Sequence, residues 1–410
     1  MGNGSASCGS WFASTCQSDS SEPNQVSRRH TDVVKVRARV WVTFAGLFVV
    51  AAGVVSVGAA DAGASLGWSV TRTPHAPSSL PSGFNGVACP RASSCFAVGD
   101  ARSPVGTTVS LIEHWNGTSW KVMASPNPKG AEYANLGGVA CPSPTSCFAV
   151  GASEGPSSYA LVERWDGQRW SIMPTPNLGP NETWLFGVSC PSTTVCVAVG
   201  IFGDGMLIER WDGKRWSATT IVPKAPIKQV LYGVSCPSPT SCVAVGNAFS
   251  PFVLRTLVEH WNGKHWSVMA GTPNPSAFDQ FNAVSCRTAR RCVAVGTGGP
   301  GGPEPDHALA ERWDGHGGWS LMGGIDRPDN ADFTGLSCPT ATDCFTVGTV
   351  TIGSTTQTLI EHWDGRGGWS IMASPSTTNP FLRGLSCPNQ TNCYAVGNGN
   401  DRGTLVERYS

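Results

Sequence analysis

Cys141–Gly151, "CPSPTSCFAVG", returns at Cys236–Gly246 as "CPSPTSCVAVG" and in weaker form five more times. The cysteine pairs are Cys89/Cys95, Cys141/Cys147, Cys190/Cys196, Cys236/Cys242, Cys286/Cys292, Cys338/Cys344 and Cys387/Cys393, each with five residues between its members. Successive pairs start 52, 49, 46, 50, 52 and 49 residues apart. A period near 50 marks units that bury their apolar faces against one another, and it suits propeller blades of four strands each.

One repeat reads as four strands. "FNGVAC" and "CFAVG" are apolar runs around a Pro/Ser-rich turn, and "LIEHW" and "WKVM" flank Asn116-Gly117, a strong hairpin signal. A disulfide across the first hairpin closes a short loop, worth roughly 2 to 2.5 kcal/mol by chain entropy. Zinc sites favour two to four residues between thiolates and a second ligand pair nearby, so the spacing points to disulfides.

Glu-[His/Arg]-[Trp/Tyr] recurs on the third strand, and its last copy, "LVERYS", ends the chain before a fourth strand. "GWSVTRTPHAP" at Gly67 resembles an isolated fourth strand: Trp68 lies 21 residues before Cys89, as Trp120 does before Cys141. The expectation is an all-β, seven-bladed β-propeller of four-stranded blades over residues 61–410. The first strand would complete the last blade and remove both sheet edges.

Lys plus Arg and Asp plus Glu are both 28, so no overall field draws the chain to nucleic acid. Residues 1–39 read as a disordered basic and polar segment. Val40–Ala60 carries no charge, follows Arg28, Arg29, Lys35, Arg37 and Arg39, and at about 1.5 Å per residue would cross a bilayer as one apolar helix. It is read as a membrane anchor or a cleaved signal peptide, with the N-terminus cytoplasmic and the rest outside. Sixteen cysteines agree with an oxidising compartment; Cys8 and Cys16 precede the apolar segment.

"FAVG" followed by "LIEHWNGTSWKVMASP" resembles a kelch repeat, in which a glycine ends the second strand, an aromatic and Asp or Asn end the third, and Trp opens the fourth. The likeness runs from about Gly67 to Ser410 and implies a propeller blade. Each repeat has one glycine, as at Gly99, Gly151 and Gly200, where kelch repeats have two, and adds cysteines. The chain is also similar to exported bacterial repeat proteins. Kelch-like propellers include galactose oxidase, whose copper needs tyrosine and histidine ligands and a Cys–Tyr crosslink; with the cysteines allotted to bridges, no cofactor is expected beyond a possible calcium.

Residues written into every repeat serve the scaffold, so a site belongs where repetition fails, on the face carrying the loops of variable length. Asn181, Glu182 and Trp184 form one departure, a stacking platform for a sugar or peptide. Tyr232 and Arg383 belong to a set at the start of the inner strands, with Asn85, Phe186, Asn282 and Thr334, that differs from repeat to repeat and would rim a channel. Glu304, Asp306, Asp326, Asp329 and Asp332 offer oxygen ligands for Ca²⁺. The reading that follows is an extracellular, non-enzymatic binding or scaffolding module for a cell-surface protein or glycan. The alternative is a polysaccharide-acting hydrolase or lyase using loop carboxylates, and a third is a structural spacer.

Overall fold

The strands follow from apolar alternation broken by turn residues. A computed structural model describes residues 66–410 except 75–79, 224–226, 251, 301–305, 324–329, 376–379 and 400–402. The described residues all fall in one compact unit, Ala62–Ser410. The polar segment 1–39, the apolar segment 40–60, Cys8 and Cys16 all lie outside the described residues. Among the described residues no helix is long and apolar enough to cross a membrane.

The described chain is all-β. An isolated strand β1 (Trp68–Val70) precedes the first repeat, which comprises β2 (Ser82–Arg91), β3 (Ser94–Arg102), β4 (Thr108–Trp115) and β5 (Trp120–Met123). These four pair antiparallel in chain order, and the arrangement recurs through the later repeats. The hairpin read at Asn116-Gly117 is present: Asn116 Oδ1 accepts the backbone N–H groups of Thr118 and Ser119 at 3.0 and 2.9 Å, and Gly117 has φ +98°.

All seven cysteine pairs form disulfides, with Cα–Cα separations of 4.0 to 4.1 Å. The second cysteine of each bridge opens the second strand and points into the apolar layer. Cys95, Cys147, Cys196 and Cys393 are 0 % exposed and Cys242 is 1 % exposed. These bridges are therefore part of the core as well as clamps on a turn, packed among the apolar side chains of their layers.

β1 adds to the far end of the chain. It pairs with Thr404–Tyr409 in the register Trp68↔Tyr409, Ser69↔Arg408, Val70↔Glu407, matching Trp115↔Trp120, His114↔Lys121 and Glu113↔Val122 in the first repeat.

Each hydrophobic layer is shared by two repeats. Phe96 of the first packs on Trp165 and Trp170 of the second, with ring centroids 5.7 Å apart in both contacts. Tyr394 of the last repeat meets Trp115 and Trp120 of the first at 6.1 and 6.3 Å. The paired tryptophans are therefore seam residues, as their repetition implies. The guanidinium of Arg164 lies over Phe148 and Trp211, at 5.6 and 5.9 Å, adding cation–π attraction to the same seam.

The repeated glutamates are buried there too, Glu113, Glu163, Glu209 and Glu311 at 0 % exposure. Alternation predicts that any partner comes from a neighbouring repeat. Glu163 accepts from Ser110 and Ser125 of the first repeat, and Glu407 from Ser374 of the sixth. The partners are hydroxyls, not cations.

Candidate functional site

The inner strand of every repeat carries one residue too many. Register shifts fall between Phe84 and Gly86, Leu136 and Gly138, Leu185 and Gly187, Leu231 and Gly233, Phe281 and Ala283, Phe333 and Gly335, and Leu382 and Gly384. The extra residues are Asn85, Gly137, Phe186, Tyr232, Asn282, Thr334 and Arg383. A bulge leaves its extra residue unpaired and re-aims its side chain. Six of these seven are the unlike residues that sequence analysis picked out at the inner-strand starts.

Some of them tie the repeats together. Asn85 Nδ2 donates to the Leu136 carbonyl at 3.0 Å, Asn282 Nδ2 to the Phe333 carbonyl at 2.7 Å and Thr334 Oγ1 to the Leu382 carbonyl at 2.6 Å. Phe186, Tyr232 and Arg383 have different surroundings. Phe186 lies between Trp184 and Tyr232, with centroids at 6.2 and 5.4 Å, and Trp184 continues to Tyr133 at 5.6 Å. Four aromatic rings from three consecutive repeats thus form one half-buried arc. From Tyr232 a polar run carries on: Asn247 Nδ2 approaches the Tyr232 hydroxyl at 3.5 Å and donates to Gln280 Oε1 at 3.1 Å, and Gln280 donates to Asn282 at 3.2 Å.

Arg383 supplies the charge. Burial pushes its pKa down, opposed by the carboxylates of Asp100 and Asp332 and by Tyr133. Burial raises both aspartates, against the pull of Arg383 and of their hydrogen bonds. Asp100 accepts from Asn135 Nδ2 at 2.7 Å, and Asp332 from the Thr349 backbone N–H at 3.0 Å. Tyr133 is raised by burial and then by Asp100 and Glu154. Arg383, the two carboxylates and the phenol of Tyr133, itself a member of the aromatic arc, are thus electrostatically coupled.

The structure brings together Trp184, Tyr232, Arg383 and Asp332 among the residues expected from the sequence. Asp332 joins Arg383 and Thr349, while Asp306, its companion in the calcium expectation, is exposed. Glu304, Asp326 and Asp329 lie outside the described residues. Among the described residues no group of three or more His, Cys, Asp or Glu side chains is placed to hold a metal ion. Asn181 is exposed, and Glu182 is half-buried with Oε2 3.9 Å from Lys228 Nζ. Glu182 also raises the carboxyl of Glu154, which burial raises first.

The second cysteines of five bridges are out of a ligand's reach. Cys95, Cys147, Cys196, Cys242 and Cys393 are sealed in the core, beyond the reach of a ligand, because the second strand on which they lie is covered by neighbouring repeats. Their role is structural, as the disulfide reading requires.

Sequence analysis missed Asp100, Tyr133 and Asn135. A signal for the first existed: the position after the repeated Val-Gly reads Asp100, Ala152, Ile201, Asn247, Thr297, Thr349 and Asn398, five residue types over seven repeats with a carboxylate only in the first.

No protein-family model matches the chain, and no curated protein matches it. Solved structures do. YCF48 bound to D1 peptide aligns with TM-score 0.55 and 14 % identity over 83 % of this chain and 94 % of that one. YCF48 from Cyanidioschyzon merolae aligns with TM-score 0.53 and 12 % identity, over 83 % and 98 %. A PL25 ulvan lyase bound to -[GlcA(1-4)Rha3S]- aligns with TM-score 0.53 and 9 % identity, over 81 % and 95 %. At these identities the likeness carries the fold alone: an all-β chain of repeated four-stranded sheets, similar to β-propellers.

Proposed function

We propose that the chain is an exported, non-enzymatic binding module that takes a glycan or protein ligand at the end of the inner strands where the bulge residues gather. The observation that carries this reading is the convergence of Tyr133, Trp184, Phe186 and Tyr232 with Arg383 and its two aspartates. Aromatic faces stack on sugar rings or apolar side chains, and a charged group between hydrogen-bonded carboxylates orients a polar ligand. Seven disulfides favour an oxidising compartment, outside the membrane and held there by residues 40–60 or released by cleavage. We read the scaffold as a kelch-like propeller of seven blades, closed where β1 completes the last. The register of β1 on the last strand and the packing of Tyr394 on Trp115 support that closure.

The test is a binding screen of the full chain against polysaccharides, cell-surface proteins and peptides, repeated with Trp184→Ala, Tyr232→Ala and Arg383→Gln. A ligand that each substitution weakens about tenfold or more supports the site. A ligand bound equally by all three variants places recognition elsewhere. Release of new sugar ends from a bound polysaccharide would favour the polysaccharide-acting reading instead.

A further inference from the structure

The cysteine turn of the fifth repeat is unlike the others. Cys286–Cys292 reads "CRTARRC", and Arg287, Arg290 and Arg291 are all exposed. The turn follows the inner strand Phe278–Thr288, so it lies at the opposite end of that strand from the bulge at Asn282.

Comparison with the other repeats shows what is unusual. The residue before the second cysteine lies diagonally across from the His or Arg of the third strand. In the first repeat that pair is Ser94 and His114, hydrogen-bonded at 3.1 Å; in the sixth it is Asp343 and His362, in contact at 2.6 Å. In the fifth it is Arg291 and Arg312, since Arg312 pairs with Val293. Two like charges at such a position repel. The third-strand cation responds: His114, Arg164, Arg210, His260, His362 and Arg408 are half-buried, whereas Arg312 is exposed.

A cleft of about 190 Å³ opens at this point. Arg287, Arg291 and Arg312 line it, and it is walled by Trp313 and by Trp363 of the next repeat. Two carboxylates stand by: Asp314, which also lines the cleft, and Asp343, next to the lining Cys344. Asp314 Oδ1 accepts the His316 backbone N–H at 2.9 Å, and Asp343 accepts from His362 and Gln390. Among the described residues none of the four arginines forms an ion pair.

We propose that this cleft binds a tetrahedral oxyanion, phosphate or sulfate, held by Arg291 and Arg312 from the second and third strands and by Arg287 from the end of the inner strand. Guanidinium forks match the oxygens of such groups, and a bound anion converts the Arg291–Arg312 repulsion into two attractive contacts. The group can arrive as a free ion or as a substituent on a sugar chain, since both present the same oxygens.

The experiment is calorimetric titration and thermal melting of the full chain with sodium phosphate, sodium sulfate and a sulfated oligosaccharide, at ionic strength held constant with chloride. Saturable binding and a raised melting temperature are expected. Arg291→Ser, which installs the serine of the first, second and fourth repeats, should weaken binding by roughly tenfold or more and raise the melting temperature in chloride buffer without phosphate or sulfate. Arg169→Gln, in an exposed turn of the second repeat, should change neither. Binding of the oligosaccharide well above the free ions identifies a sugar chain as the source, and equal binding identifies a small anion. Equal responses from Arg291→Ser and the parent chain, or a rise that chloride reproduces, would overturn the proposal.

Discussion

At Gly200 a Cβ atom would lie 1.8 Å from the Trp184 carbonyl oxygen, and at Gly151 it would lie 1.9 Å from that of Asn135. The glycine that ends each "AVG" run is required by the bulge opposite, which presses a carbonyl of the inner strand against the second strand. The bulge opposite Gly200 carries Phe186 of the candidate site, and the one opposite Gly246 carries Tyr232, so a scaffold glycine and a recognition residue are two sides of one distortion. Gly200→Ala is therefore expected to cost about 3 kcal/mol or more, read as a lower midpoint of urea unfolding. Because the bulge itself is displaced, ligand binding should weaken in whatever fraction remains folded. An alanine variant as stable as the parent would mean that the strand gives way without cost. The glycine was legible as a repeated letter, but its reason was not, since a bulge is a relation between two strands.

Among the elements, β1 is the shortest to carry so much. Its three residues supply Trp68, 9 % exposed, which packs on Tyr409 at 5.5 Å in the place that Trp120 takes beside Trp115. Tyr409 in turn meets Phe345 of the sixth repeat at 5.5 Å, so β1 completes a seam as well as a sheet. Trp68→Ala should destabilise the protein by roughly 3 to 5 kcal/mol, as for a tryptophan in a continuous core, measured by denaturant unfolding beside Trp120→Ala. A loss far smaller than that of Trp120→Ala would show that β1 adds little to the last sheet. This pairing was legible because the spacing of Trp68 from Cys89 repeats that of Trp120 from Cys141. The aromatic arc was legible only in part. Trp184 stood out as a tryptophan off the repeat, whereas Tyr133 belongs to the site through its contact with a ring 51 residues away.

Over the whole molecule, the buried glutamates make stability depend on pH. Desolvation pushes Glu113, Glu209 and Glu311 up to about 8, and Glu163, Glu259 and Glu407 up to about 7, from an ordinary 4.5. These carboxyls keep their protons in the folded state at a pH where the unfolded chain has released them. The folded chain then binds more protons than the unfolded one, and stability falls as pH rises from about 4.5 to about 8. At the acid end the sign reverses. Asp166, Asp212 and Asp364 accept backbone N–H groups in the hairpin turns, which lowers them below the usual carboxylate range, and that contribution fades as they protonate. The melting temperature should thus be highest near pH 4, between the ordinary values of the two groups of carboxyls, and drop steadily toward pH 8.5 in buffers of constant ionic strength. A curve that is flat or rising across that interval would mean that water reaches the glutamates.

The repeating unit is set by the order of amino acids alone: strand alternation, Asn-Gly and Asp-Gly turns and paired cysteines are all contacts over a few residues, and each copy states them again. Which of the unlike residues meet is settled only by tertiary packing. Asp100, Tyr133, Asp332 and Arg383 come from four different repeats, and the stacking of one inner strand on the next brings their charges within reach of one another. Likewise the spacing of Cys95 from Cys89 announces a bridge, but that its sulfur ends in the core follows from the neighbouring sheet that covers it. Local chemistry is written along the chain. Electrostatic company at the end of the inner strands depends on distances that no local pattern encodes.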